Sequence, residues 1–262
     1  MINVGSLVTR LSYNNDVIFK VQKIEDDKVY LIGINIRLSA DSKLDDLILV
    51  DDKECELCDD SDFLERLKSE ISLDRNDFFY LPGNVLHFDS SKNYLNRCLK
   101  FYKEANIVAH GVHIKEEYLP NEILKYLEEY NPDIVVITGH DSYYAKRNLE
   151  KELDMYQNTK SFIKSVRLAR KYEKDPEKLV IIAGACQSNY EQLIKSGANF
   201  ASSPKRVNIH ALDPAIIATA IAFSNRGEHI DLIGILSKTK YGSNGIGGIM
   251  TTGMMYTGYP RK

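Results

Sequence analysis

Two matching stretches, Asp133–Asp141 (DIVVITGHD) and Leu179–Ser188 (LVIIAGACQS), limit what this chain can fold into more than any other feature. Each begins as a short run of apolar, mostly β-branched residues. Runs of that length are too short for a helix and suit strands buried on both faces of a parallel sheet. Each then meets a small Thr/Ala-Gly step, and a reactive side chain comes next, His140 in the first and Cys186 in the second. In an open α/β sheet, ligands bind in the crevice beyond the carboxyl ends of the strands. Two such strands in one sheet put His140 and Cys186 on a common rim. A thiol beside an imidazole is the minimum equipment for nucleophilic acyl transfer.

The surrounding pattern supplies the rest of that sheet. Val85–Phe88 reads as a first strand ending at Asp89, and Ile107–His113 as a second, buried one that makes His110 and His113 core residues. Ser90 or Ser91 caps a helix whose apolar face is Leu95, Cys98, Leu99 and Tyr102, which makes Cys98 an inert core thiol. Pro120 opens a helix that stops at Asn131-Pro132, and Asn158 caps another with Phe162, Val166 and Ala169 inside. A helix over about 189–196 ends at Gly197, a short strand comes next over 198–202, and Asp213-Pro214 starts an apolar helix. Residues 230–262 read as glycine-rich and β-like. Strand–helix alternation from 84 to 225 predicts an α/β fold with a doubly wound, mostly parallel sheet.

The amino-terminal part differs. Residues 1–50 read as short strands joined by turns such as Asn14-Asn15-Asp16, which suggests a small SH3-like β-barrel. An acidic linker and short helix occupy 51–77, leaving 78–262 for the α/β domain. Within the linker Cys55 and Cys58 form a Cys-x-x-Cys, but no second ligand pair exists to complete a zinc site, so no metal is expected. Nothing in the sequence calls for a cofactor.

Of 262 residues, 44% are hydrophobic and 27% charged, ample for a core. A formal charge of −3 gives no reason to expect nucleic acid or an anionic membrane as partner. No apolar run is long enough to span a bilayer, and the Met-Ile-Asn-Val-Gly-Ser start is unlike a signal peptide. A cytoplasmic protein with free thiols is the expectation.

Cysteine-based hydrolysis needs a thiolate, a base and donors for the oxyanion. His140 supplies the base. The backbone N–H of Cys186, in a small-residue turn, and the backbone around Asp141 supply the donors. Against this, Cys186 alone reads equally as a buried small hydrophobe, and His140 alone as a capping or core histidine. His210 is an alternative base. Gly242–Gly248 lacks the ending of a phosphate loop and reads as tight turns at a sheet edge.

The succession of an apolar run with Gly-His and an apolar run with Ala-Cys resembles the caspase-like superfamily of cysteine peptidases, with histidine after the third strand and cysteine after the fourth. Those enzymes usually carry glycine where Asp141 stands. A longer likeness runs through DIVVITGHD, IAGACQS (182–188), GANFASSP (197–204) with Lys205-Arg206-Val207, and Ile209–Pro214. Val4–Val8 and Gly245–Ile249 extend it, and on these stretches the chain resembles the YabG family of sporulation-specific peptidases. The resemblance implies a cysteine endopeptidase of the sporulating mother cell and spore coat. It implies processing of coat and germination proteins near basic residues, arginine preferred, with Cys186 and His140 catalytic. Arginine-specific members of the superfamily often place an aspartate two residues before the cysteine. That position is Gly184 here, so a guanidinium-binding acid is expected elsewhere on the rim, at Asp89 or Asp141. The rival readings are a non-proteolytic thiol amidase and a non-enzymatic coat scaffold.

Overall fold

The computed structural model describes residues 2–26, 28–50, 60–70, 78–144 and 152–260. The central sheet has six strands. In chain order they are β7 (Val85–Asp89), β8 (Ala109–His113), β9 (Ile134–Ile137), β10 (Val180–Ala183), β11 (Phe200–Ser202) and β12 (Ile246–Gly248). Their order across the sheet is β12-β11-β10-β9-β7-β8, parallel throughout except for the β11–β12 edge pair. This is an α/β fold with a mostly parallel sheet, consistent with a caspase-like arrangement. A separate antiparallel pair joins β6 (Phe79–Leu81) to β13 (Tyr256–Gly258).

The unbroken apolar runs of β9 and β10 are explained by the layers on both sides. One face carries Leu86, Phe88, Val135, Ile137 and Ile181 against α3 (Leu119–Tyr130) and α4 (Thr159–Tyr172). The other carries Val85, Val136, Val180 and Ile182 against α2 (Lys92–Glu104) and α6 (Asp213–Ala222). Ser91 caps α2 by accepting the Tyr94 N–H, and Asn131 ends α3 in the left-handed region. Asn189 caps α5 (Tyr190–Lys195), and Gly197 lies beyond its end at φ +109°.

Three expectations need correction. Because β8 lies at the edge beyond β7, His110 and His113 are exposed rather than core. Asn158 precedes α4 but makes no side-chain cap; its amide is spent on the carbonyl of His140. The stretch after 230, whose glycines suggest only strands, contains the helix α7 (Leu232–Ser237), capped by Asp231.

Residues before 50 form a five-stranded antiparallel sheet from β1 (Leu7–Arg10), β2 (Phe19–Glu25), β3 (Lys28–Gly33), β4 (Ser39–Lys43) and β5 (Leu47–Leu49). The order is β4-β3-β2-β1-β5, and among the described residues no ladder joins the outer strands into a closed barrel. Its inner face (Val8, Phe19, Val21, Val29, Leu31) belongs to the same apolar cluster as α2 and α6. Helix α1 (Ser61–Glu70) is preceded by Asp60, which receives two hydrogen bonds from Arg97 of α2. The Cys55–Cys58 motif lies outside the described residues. Among those described, no helix is long and apolar enough to cross a membrane.

Candidate active site

β9 and β10 are neighbours, with Ile137 opposite Ala183. His140 and Cys186 each stand three residues beyond that pair, so register alone brings them to the same rim. After β10 the chain turns sharply at Gly184, whose φ of +103° suits glycine and where a Cβ would come within 2.8 Å of Leu193. The turn is locked from inside: Ala185 N–H donates to Ser188 Oγ (3.0 Å), and that hydroxyl donates to Asp141 Oδ2 (2.8 Å). Cys186 is buried, and its Sγ accepts the Ile209 N–H at 3.2 Å. Burial pushes the thiol up to about 12, so it stands here as a neutral thiol.

His140 is held on one side only. Its Nδ1 lies 3.2 Å from Ser90 Oγ and 3.8 Å from Glu116 Oε1, and its backbone N–H donates to the same Glu116 oxygen at 2.8 Å. Ser90 also donates to Glu116. Burial pushes the Glu116 carboxyl up, but the hydrogen bonds from His140 and Ser90 outweigh it and hold it below its usual value. A Cβ at Gly139 would overlap the Glu116 carboxylate, which gives that glycine a steric reason. The Nε2 of His140 is buried without a hydrogen-bond partner among the described residues. Cys186 and His140 share the rim but make no direct hydrogen bond.

Two aspartates stand on this rim, Asp89 at the end of β7 and Asp141 beyond β9. The Asp89 carboxylate accepts from Thr138 Oγ1 (3.0 Å), from Ser91 N–H (2.7 Å) and, at 2.5 Å, from the guanidinium of Arg37. The Asp141 carboxylate is filled by Ser142 N–H, Asn158 N–H, Thr159 Oγ1 and Ser188 Oγ at 2.5–2.9 Å. That leaves it no direction open to a guanidinium. His210 is engaged elsewhere: its ring stacks on Phe63 (4.9 Å), and Nδ1 accepts the Leu212 N–H. Asp213 accepts from His210 N–H and Lys240 N–H.

Arg37 comes from the hairpin loop between β3 and β4 and is fully buried in this site. Besides Asp89, its guanidinium donates to the Ala211 carbonyl through Nε (3.2 Å) and Nη2 (2.7 Å) and lies over the Tyr94 ring. Its backbone is held too: Arg37 N–H donates to Ile209 O (3.2 Å), and Cys186 N–H donates to Arg37 O (3.3 Å). Asn35 O accepts from Ala211 N–H (2.9 Å), Ile36 bridges His210, and Leu38 bridges Asp141.

Arg37, Glu116 and Ser90 as a partner of His140 escape a reading of the sequence. The only local hint for Arg37 is a lone charge in the otherwise apolar alternation Ile34-Asn-Ile-Arg-Leu38. Glu116 lies among charged residues of a surface-like turn, Lys115-Glu116-Glu117, and nothing there marks it.

Comparison with known proteins gives the family. Residues 3–260 match the family described as YabG peptidase U57. The sporulation-specific protease YabG of Bacillus subtilis (strain 168) is 38% identical over 284 aligned positions, spanning 99% of this chain and 98% of the relative.

Proposed function

The chain belongs to the YabG peptidase family, and on that premise we propose that it is a cysteine endopeptidase that cuts after arginine, with Cys186 as nucleophile and His140 as general base and acid. The observation that carries this reading is the simultaneous fit of one arginine: its guanidinium on Asp89 and Ala211 O, its carbonyl on the Cys186 N–H. A guanidinium needs a buried acceptor of matching charge, and Asp89 is placed to be one. Asp141 serves instead as a clamp on both rim loops, and its backbone, beside the bridged Leu38, is the second candidate oxyanion donor.

In the reaction, the partnerless Nε2 of His140 takes the thiol proton as Sγ attacks the substrate carbonyl carbon. The carbonyl oxygen gains charge against the Cys186 N–H; losing one such donor typically costs about a hundredfold to a thousandfold. The His140 proton passes to the leaving amine, and water then hydrolyses the thioester. Glu116, on the Nδ1 side, holds the ring in place and balances its charge. Spore coat and germination proteins are the substrates, met in the sporulating mother cell and at the spore coat. Residues 1–50 act as an SH3-like module, 51–77 as a linker, and 78–262 as the peptidase domain.

An arginyl fluorogenic peptide tests the reading. Hydrolysis should stop with iodoacetamide and fall about a thousandfold or more in Cys186→Ala. Undiminished hydrolysis by Cys186→Ala would end the assignment.

A further inference from the structure

His87 lies in the middle of β7, two residues before Asp89, so the period of the strand puts both side chains on the face that carries Val85. It is fully buried, at a position that an apolar side chain would fill at less cost. Both ring nitrogens are engaged. Nδ1 lies 2.9 Å from Tyr102 Oη of α2, and Nε2 lies 3.1 Å from Thr138 Oγ1, just beyond β9. Thr138 Oγ1 in turn donates to Asp89 Oδ2 at 3.0 Å. The protons of this chain run one way. Asp89 is ionised and can only accept, and a hydroxyl with one hydrogen spends it on a carboxylate rather than on the Phe88 carbonyl 3.1 Å away. His87 Nε2 is therefore the donor to Thr138, and Nδ1 accepts the Tyr102 hydroxyl. Burial keeps the imidazole neutral, as that tautomer requires. Three dipoles in series end on Asp89 Oδ2, and the Ser91 N–H takes Oδ1 at 2.7 Å, so the carboxylate is pinned by both oxygens.

The Arg37 guanidinium meets Asp89 at a single point, Nη1 on Oδ2, while Nε and Nη2 share the Ala211 carbonyl. A guanidinium is a rigid planar fork, so these contacts are met together only if Oδ2 stays in place relative to that carbonyl. An ammonium is a point charge on a flexible stem and follows a carboxylate wherever it turns. We infer that Thr138 and His87 are positioning residues that make this pocket select arginine over lysine, whereas the charge of Asp89 selects a basic side chain over a neutral one. This rests on the cysteine-peptidase reading of the site, with Arg37 marking where a substrate guanidinium lies. Neither residue touches the substrate. Thr138 acts through Asp89, and His87 acts through Thr138.

Three matched fluorogenic peptides, with arginine, lysine or norleucine before the scissile bond, test this on the full chain through ratios of kcat/KM. Thr138→Val keeps the shape and removes the hydroxyl. It should lower the arginyl-to-lysyl ratio by about tenfold and leave the lysyl-to-neutral ratio within about twofold. Thr138→Ser, which restores the donor, should recover the wild-type ratio. His87→Leu should lower the same ratio by about threefold, and His87→Gln, whose amide can donate to Thr138, should recover part of that loss. An arginyl-to-lysyl ratio unmoved by Thr138→Val overturns the inference. So do equal falls on all three peptides, or a loss in Thr138→Ser as large as in Thr138→Val, since the role would then be structural. Asp89→Asn, run alongside, should bring both basic peptides down toward the neutral one. If it does so while Thr138→Val matches wild type, the inference falls and the pocket stands. If the wild type hydrolyses none of the peptides, or prefers neither basic one, the reading falls with the inference. Each ratio is internal to one variant, so the amount of folded enzyme does not enter it. Should Thr138→Val fail to fold, the two His87 variants decide.

Discussion

Asp89 and Asp141 stand on the same rim, both fully buried, and they are used in opposite ways. Asp89, at the end of β7, faces a cation. Burial pushes its carboxyl up, but the Arg37 guanidinium more than reverses this and holds it well below the usual carboxylate range. Asp141, beyond β9, is surrounded among the described residues by hydroxyls and backbone N–H groups, with no ion pair. There burial wins, and the carboxyl is pushed up to about 6. Hydrogen bonds from neutral donors offset only part of a desolvation cost, whereas one adjacent full charge reverses its sign. One acid is built to hold a positive charge; the other ties the His140 loop to the Cys186 loop and the start of α4.

The sharpest way to break this contrast is to neutralise each acid without changing its shape. Asp89→Asn leaves a buried guanidinium without its counter-charge and should destabilise the fold by about 3–5 kcal/mol. On peptides, the ratio of kcat/KM for arginyl over neutral substrates should fall tenfold or more, about 1.4 kcal/mol per decade. That ratio is internal to each variant and insensitive to the amount of folded enzyme. Asp141→Asn should leave it unchanged. If instead Asp141→Asn collapses the ratio and Asp89→Asn spares it, the pocket lies on the histidine loop.

The pH dependence sharpens the same comparison. Asp89, with its carboxyl depressed, contributes stability above the unfolded carboxyl value that is lost as pH falls through the still lower folded one. Asp141, with its carboxyl raised, does the reverse. The folded state keeps the proton that the unfolded state has released, so stability falls as pH rises from about 4 to about 6. The penalty of Asp141→Asn, measured by urea unfolding, should therefore be about 2 kcal/mol smaller near pH 7 than near pH 4.5. His210, its ring pushed down to about 4 by burial, opposes this trend in both proteins and cancels in the difference. A penalty that grows with pH would mean that Asp141 is ionised and favourably paired.

How much of this the sequence discloses depends on distance along the chain. Four-residue β-branched runs, Ser91 as a cap, and Gly197 after a helix are local signals, and each has its structural counterpart. Cys186 and His140 are legible for the same reason, because the end of a buried strand delivers the next few residues to the rim of the sheet. Strand order is not local: that β8 lies outside β7, exposing His110 and His113, is decided by how the crossovers pack. Arg37 is the extreme case. Its partners Asp89 and Ala211 lie 52 and 174 positions away, and the alternation around it is that of an ordinary strand. The six residues of α7 fail differently, because too few turns precede the glycines for a helical period to register.

Glu116 gives the smallest of the expected effects and the narrowest test. It is a third carboxylate on the rim, and it falls between the other two, less deeply buried, bonded to a backbone N–H and a hydroxyl, with the imidazole Nδ1 of His140 at 3.8 Å. It touches neither the thiol nor the place where Arg37 lies, so its part in catalysis is to position His140 and to balance the charge the ring acquires. Such a role appears only when the ring is charged, as the thiol proton moves. Glu116→Gln keeps an oxygen for the His140 N–H and removes the negative charge. It should lower kcat by about tenfold while leaving KM and the arginine preference in place, the signature of an interaction made chiefly in the transition state. Glu116→Asp, which retains the charge on a shorter arm, should recover part of that loss. A purely structural role predicts equal damage from both variants, with unfolding rather than kcat as the quantity that moves. That result would leave His140 held by Ser90 and Asn158 alone and would make Asp89 the only acid of the three whose charge matters to the reaction.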